Sequence, residues 1–230
     1  MKKIFNYFKW ELLILHRNQL LTISIVVTLL YIGIFKILEG LPHLEKVLVL
    51  LIFNDPALIG FFFVGVTILF EKSGNILSAI QVSPLKLWEY FAAKISALSL
   101  IAILCSLGMA LAAHGWDFNY VLFISGVGLT SLLFILSGLI IVVWSTSFNQ
   151  FLMKAMGVLI GLSLPFLGYF GVLHTNLFYF LPTQGSIILL DAAFQKQIGP
   201  EVIYGVGILL VYNVLLFFFA LKTFKKHLNF

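Results

Sequence analysis

Few residues in this chain could do chemistry inside a membrane, and their scarcity is informative. Asp55 stands in the triplet Asn54-Asp55-Pro56, inside an otherwise apolar run. A carboxylate there reads two ways. It is a functional group by the general rule for ionisable residues in membranes, or an N-cap with proline in the first helical turn. With Asp55, Pro165 and Asn213 complete the candidates for a translocation path. The five histidines, His16, His43, His114, His174 and His227, fall on separate segments, and their spacing supports no metal or haem site. Cys105, the single cysteine, lies in an apolar run and reads as a small packing residue without a disulfide. No H-E-x-x-H, G-x-S-x-G, C-x-x-C or G-x-x-x-x-G-K-[ST] sequence occurs. No catalytic residue and no metal site are expected. The near-absence of charge at mid-depth also argues against an ion-coupled carrier, which keeps ionisable groups there.

The elements that must position these residues follow from composition. The 230 residues are 61% hydrophobic and 10% charged, with net charge +5 and mean hydropathy +1.10. A soluble domain carries about 25% charged residues. The expectation is an all-α polytopic membrane protein, a single membrane domain over 1–230, with six transmembrane helices of about 20 residues each. The spans are read at 20–38, 56–70, 95–113, 120–143, 155–173 and 202–221, with a short outer helix at 47–53. Residues 1–18 read as an amphipathic helix lying in the interface, since Ile4, Phe8, Leu12 and Leu15 recur at helical spacing. No small-residue cleavage site follows the first apolar run, so it should stay in the mature protein. Pro165 should kink the fifth span. Gly157 and Gly161 form a small-xxx-small pair, and Gly126 and Gly128 a second narrow face.

Orientation follows from lysine and arginine. With the N-terminus inside, eleven basic residues face the cytoplasm and three, Lys36, Lys46 and Lys196, face out, accounting for all fourteen. That asymmetry places both termini in the cytoplasm. Trp10, Trp88, Trp116 and Trp144 all fall at span boundaries as interfacial anchors.

Two polar connectors are long. Residues 174–200 form an outer loop with a short helix at 186–194. Residues 71–94, EKSGNILSAIQVSPLKLWEYFAAK, are far longer than two helices need for a link. Ile76, Leu77 and Ile80 make an apolar face on a short helix, and Ser83 should cap the next helix with Pro84 in its first turn. Leu85, Trp88 and Phe91 lead into the third span, where Trp88 and Lys94 should set depth at the surface.

These features resemble the permease subunits of type-2 ABC exporters, and most the short drug-export permeases of the daunorubicin or fluoroquinolone kind. The likeness covers the whole chain and rests on Glu71, Gly74, Ser83-Pro84 and Lys94, with Lys72 where an arginine is frequent. It implies a coupling helix at 75–82 docked on a separate P-loop ATPase, with Glu71, Gly74, Asn75, Leu77, Ser78, Ile80, Ser83, Pro84 and Lys86 as coupling residues. ATP and Mg would be bound by that partner, not by this chain. The resemblance further implies a second permease subunit, the same or different, an amphiphilic or drug-like substrate passing between the two, and residence in a bacterial inner membrane. Lipids are partners; nucleic acid is not. The alternatives are a haem-export permease of cytochrome c maturation and a non-transporting membrane scaffold.

Overall fold

The computed structural model describes residues 2–38, 44–83, 85–173, 175–197 and 199–227. Pro84, His43 and His174 lie outside them, and the roles expected of these residues are not tested by the structure. All regular structure among the described residues is helical. In chain order the helices are α1 (Lys2–Arg17), α2 (Leu20–Ile37), α3 (Leu44–Pro56), a π-helical segment (Ala57–Phe63), α4 (Val64–Ser73) and α5 (Ile76–Gln81). Then come α6 (Leu87–His114), α7 (Tyr120–Val143), α8 (Phe148–Ser163), α9 (Pro165–Tyr169), a 3-10 turn (Asn176–Phe180), α10 (Pro182–Gln195) and α11 (Pro200–His227). Six stretches are long and apolar enough to cross a membrane: α2, α3 to α4, α6, α7, α8 to α9, and α11. The ends of α1 and α11 lie on one face, called here the terminal face.

α7 is the central helix. In its apolar window 83% of the residues are buried, against 22% for α2 and for α11. The outer helices turn Ile25, Val26, Leu29, Leu30, Val214, Leu215 and Phe218 outward, as lipid-facing surfaces require. Lipid is as apolar as leucine, so the spans are held by close packing and interhelical hydrogen bonds rather than by water exclusion. Glycines permit the closest crossings. A Cβ on Gly205 of α11 would sit 3.1 Å from the Gly185 carbonyl of α10, and one on Gly185 only 2.7 Å from the Gly205 carbonyl. A Cβ on Gly65 would strike the Phe151 ring. Gly126 meets Leu189 of α10 in the same way, but Gly157 and Gly161 face open space and bind no helix of this chain.

Helix ends follow local chemistry. Asn119 Oδ1 accepts from the Val121 and Leu122 amides at 3.1 and 3.2 Å and starts α7 where expected. Ser147 Oγ accepts from the Gln150 amide while Gln150 Oε1 accepts from the Thr146 amide, so α8 begins at Phe148, earlier than the apolar run suggests. α8 stops before Pro165, which opens the short α9, as a proline interruption predicts.

The structure differs from the sequence reading at Asn54-Asp55-Pro56. No helix starts there, and there is no separate outer helix at 47–53. The second span runs as one helical stretch from Leu44 to Ser73. Asn54 Nδ2 donates to the Leu50 carbonyl one turn back at 3.0 Å instead of capping. Pro56 lacks an N–H, and the ladder widens into the π segment directly after it. In a membrane bundle, neighbouring helices and such local adjustments let a span tolerate proline.

The tight α10–α11 crossing gives a direct check. Gly205→Leu should destabilise the protein by about 1–3 kcal/mol through overpacking, read as a lower Tm in detergent, whereas Gly157→Leu should leave Tm unchanged.

Candidate functional site

The site is assembled on the terminal face from three elements that are distant in sequence. α1 lies against α6 and turns into α2 at Gln19, which adopts a left-handed φ of 59°. Along α1, Tyr7, Glu11 and Leu15 recur every fourth residue and form its inward stripe, while Lys3, Lys9, Trp10, His16 and Arg17 face out. Glu11 is therefore a carboxylate on the buried face, 1% exposed. Glu71, near the end of α4, is 3% exposed, and Lys94, in the second turn of α6, is completely buried.

These three side chains form one ion cluster. Lys94 Nζ lies 2.8 Å from Glu71 Oε1 and 2.9 Å from Glu11 Oε1. Thr67 Oγ1 stands 3.5 Å from the same ammonium. Tyr90, one turn before Lys94, donates its hydroxyl to Glu71 Oε2. Its ring lies under the ammonium, 5.3 Å away, and 5.8 Å from the Tyr7 ring. Lys94 was expected to set depth at the surface. A lone exposed ammonium would do so, but this one is drawn inward by two carboxylates. Glu71 was expected as a coupling residue; Glu11 and Tyr90 were not anticipated. The signal for Glu11 was present in its spacing from Tyr7 and Leu15.

The short helix α5 follows α4 directly. Gly74 closes α4, its amide donating to the Phe70 carbonyl at 2.9 Å. A Cβ on Gly74 would press that carbonyl at 3.3 Å. Asn75 turns the chain with a left-handed φ of 56°, a conformation asparagine tolerates better than most residues. Leu77 and Ile80 are buried under α5, while Ser78, Ala79 and half of Ile76 are exposed. Val82 follows, 89% exposed. Ser83 does not cap α6. Its Oγ donates to the Ile80 carbonyl at 2.7 Å and closes α5. α6 starts two residues after Leu85, where the Lys86 amide donates to Glu89 Oε2 at 2.9 Å. A groove of about 440 Å³ runs between α1 and α5, lined by Lys3, Asn6, Tyr7, Trp10, Ile76, Ala79, Ile80, Ser83 and Leu85.

Lys72 has its own task. Its ammonium donates to the carbonyls of Val142, Val143 and Ser145 at 2.8, 3.3 and 3.2 Å and so caps the C-terminal end of α7. α4 is thus fixed on one side to α7 and on the other to α6. Trp10, Trp88, Trp116 and Trp144 are all exposed near helix ends, where interfacial anchors belong. On the opposite face, Tyr169 donates to Asp191 Oδ1 at 2.5 Å, and Lys46 donates to the Tyr169 carbonyl at 2.8 Å. Two cavities of about 710 and 650 Å³ open there and share Tyr169, Tyr179 and Gln184.

The translocation candidates are not brought together. Pro165 is buried at the start of α9. Asn213 donates to the Leu129 carbonyl of α7 at 3.0 Å and ties α11 to the centre. Asp55 is 1% exposed and faces Ser106 of α6. Among the described residues no three His, Cys, Asp or Glu side chains converge on a point where a metal could sit.

The arrangement is that of a drug-export permease of the ABC type. Residues 2–229 match the fluoroquinolones export permease protein family, and the chain belongs to that family. Among its relatives are the fluoroquinolones export permease proteins of Mycobacterium tuberculosis strains CDC 1551 and H37Rv. Each is 35% identical over 163 residues, covering 66% of this chain and 67% of the relative.

A buried ion cluster is stable only as a set. Removing one partner leaves an uncompensated buried charge and costs about 3–5 kcal/mol, whereas replacing the whole set by apolar or neutral groups is often neutral. Lys94→Met alone should therefore lower Tm markedly. The triple variant Lys94→Met, Glu11→Gln, Glu71→Gln should recover most of the loss; a triple variant as unstable as the single would refute the cluster's energetics.

Burial holds the Glu11 carboxyl above the ordinary glutamate value of 4.5, with Lys94 opposing the rise and Glu71 adding to it. A carboxyl raised in the docked state binds its proton more tightly there than when α1 is free. Docking of α1 is thus supported most at low pH and loses that support as pH climbs through the raised value. Hydrogen exchange at α1 amides, corrected for intrinsic rates, should accelerate as pH rises through the raised Glu11 value, and Glu11→Gln should flatten that dependence.

Proposed function

We propose that this chain is the membrane subunit of an ATP-driven drug exporter, seated in the bacterial cytoplasmic membrane with both ends inside. It pairs with a second permease subunit and docks a separate P-loop ATPase that holds ATP and Mg. The observation that carries this reading is the buried Glu11–Lys94–Glu71 cluster beneath an exposed short helix. α5 presents Ser78, Ala79 and the nearly bare Val82 away from the bundle, and the groove beside it is open to a partner. With Ile76 and Ala79 also exposed, Val82 gives α5 and its C-terminal end an apolar outer side suited to contact with a protein partner. The cluster ties α4, which leads into α5, to α1 and α6, so a push on α5 is delivered to α1 and to the second and third spans at once. The large cavities on the opposite face, near Tyr169 and Tyr179, border the exit.

Substrate choice follows the family. The relatives bear the name of fluoroquinolone exporters, and a similar amphiphilic drug is the substrate proposed for this chain. The match is to drug exporters rather than to haem-export permeases of cytochrome c maturation. The open faces at Gly157 and Gly161 are available to the second subunit.

Site-specific crosslinking tests the docking. A photoreactive or disulfide probe at Ser78→Cys should capture the partner ATPase, and one at Ser96→Cys, on the exposed side of α6 within the span, should not. Val82→Asp should cut the ATPase activity stimulated by the permease about tenfold or more, equivalent to about 1.4 kcal/mol or more of coupling. Capture from residue 96 but not from 78 would sink the assignment of α5.

A further inference from the structure

The cavity of about 650 Å³ on the face opposite the termini carries acid without a matching base. Asp191 and Glu201 both line it, and among the described residues no basic side chain lines it or pairs with either carboxylate. Asp191 accepts from the Tyr169 hydroxyl at 2.5 Å and from Gln195 Nε2 at 2.8 Å. Both donors are neutral, so they orient the carboxylate and leave its charge uncompensated. A carboxylate can accept about four such bonds, and two are taken. The nearby lysines are engaged elsewhere: Lys196 pairs with Asp117, and Lys46 donates to the Tyr169 carbonyl, 5.1 Å from that ring.

This cavity continues inward. The Asn119 amide donates to the Ala193 carbonyl at 2.8 Å, and Thr130 and Ser186 are joined through their hydroxyls at 2.7 Å. α10 therefore runs antiparallel to α7 as a half-span, with Ser186 about 15 Å below the start of α7. The second cavity, about 710 Å³, meets the first at Tyr169, Tyr179 and Gln184 and extends along Phe178 and Phe180. No carboxylate and no basic side chain among the described residues lines it. Its wall is fixed from α11, where Tyr204 donates to the Tyr179 carbonyl and Tyr212 to the Phe180 carbonyl at 2.8 Å. The space is thus preformed, aromatic at depth and acidic at its mouth, and each part has the size of a drug-binding cavity.

We propose that the two cavities are one outward-leading site for an amphiphilic cation, its ring system against Phe178, Phe180 and Tyr179 and its cationic nitrogen at Asp191 and Glu201. Aromatic faces attract a desolvated cation, and the unpaired carboxylates at the mouth draw it toward the opposite face. The assignment deepens the proposed export function and rests on it for its biological purpose. It narrows the substrate class to amphiphiles that carry a positive nitrogen. Tyr169 and Gln195 are positioning residues that aim Asp191.

The test uses the permease alone in dodecyl maltoside, a neutral detergent without an ammonium of its own, so its outcome is separate from that of the Ser78 crosslink. The probe is the fluorescent cation dimethylaminostyryl-N-methylpyridinium, compared with uncharged dimethylaminostilbene of the same shape, each corrected for empty micelles. The cation should bind about tenfold more tightly than the stilbene. Asp191→Asn with Glu201→Gln should bring it to the level of the stilbene at unchanged Tm. Gln184→Lys, which sets a competing ammonium at the junction and keeps both carboxylates, should abolish the preference as well. Equal binding of the two probes by the wild type, or a preference that survives in either folded variant, overturns the proposal. Dihexanoyl phosphatidylcholine, below its micellar concentration, offers a lipid ammonium together with a phosphate that the carboxylates repel. It should leave the dye bound; displacement assigns the cavities to lipid headgroups and overturns their role in export.

Discussion

A buried ammonium shared between two carboxylates is the constraint on which the terminal face depends. Lys94 cannot stay in the bundle alone, because the penalty for an isolated buried charge is several kcal/mol even after relaxation. Glu71 is supplied by the helix that packs beside it, but Glu11 arrives from the other end of the chain's fold, on a surface helix. α1 is therefore more than a membrane anchor: its position is required to complete the charge balance of the second and third spans. Ionised together, the three groups carry one excess negative charge. The Tyr90 hydroxyl on Glu71 and the raised proton affinity of Glu11 are the two ways in which that excess is accommodated.

The rest of the bundle is held by a different physics. Within lipid the hydrophobic effect gives little reason for one apolar helix to choose another, and close contact decides. That is why the crossings at Gly185 and Gly205, and the seat of Phe151 on Gly65, matter more than the abundance of leucine. It also explains the single-file use of polar groups in the core. Thr130 donates to Ser186 at 2.7 Å and Ser131 to Ser99 at 2.9 Å, each linking α7 to one neighbour. Asp55 and Ser106 face each other in the interior in the same way, one from the second span and one from α6.

Much of this was legible in the sequence. The bounds of α1 and α7 and the count of six spans follow from periodicity and hydropathy, and the short helix expected at 75–82 is observed at 76–81. The resemblance to export permeases rests on Glu71, Gly74, Ser83-Pro84 and Lys94, and the chain belongs to that family. What failed did so for identifiable reasons. Asn54-Asp55-Pro56 has the composition of a helix start, and in water it would be one. In lipid a break would strand backbone groups without partners, so the helix continues and the ladder widens instead. Lys94 was read as a surface anchor because a lysine's partners are not visible in its own helix. Its counter-charges lie on other helices, and the pairing is a tertiary fact. Ser83 precedes a proline and so looked like an N-cap, yet its hydroxyl serves the helix behind it.

The two charged features of the spans share their scaffolding. Glu71 and Asp55 stand on one continuous helical stretch, about 24 Å apart along its axis, and Lys94 and Ser106 stand on α6, about 18 Å apart. Between the two carboxylates lies the π segment, Ala57–Phe63, the one place on that stretch where the backbone ladder departs from α geometry. Shared helices alone do not make two sites communicate; both must bias one element that has two arrangements. A π segment is such an element in principle. Recovering the α ladder there removes one residue's worth of slack and turns everything on one side by about 100° relative to the other. Lys72 and Glu71 clamp the α4 end to α7 and α6, while Asp55 at the other end faces Ser106 of α6. The chain thus places its buried ion cluster and a second buried carboxylate on either side of the π segment.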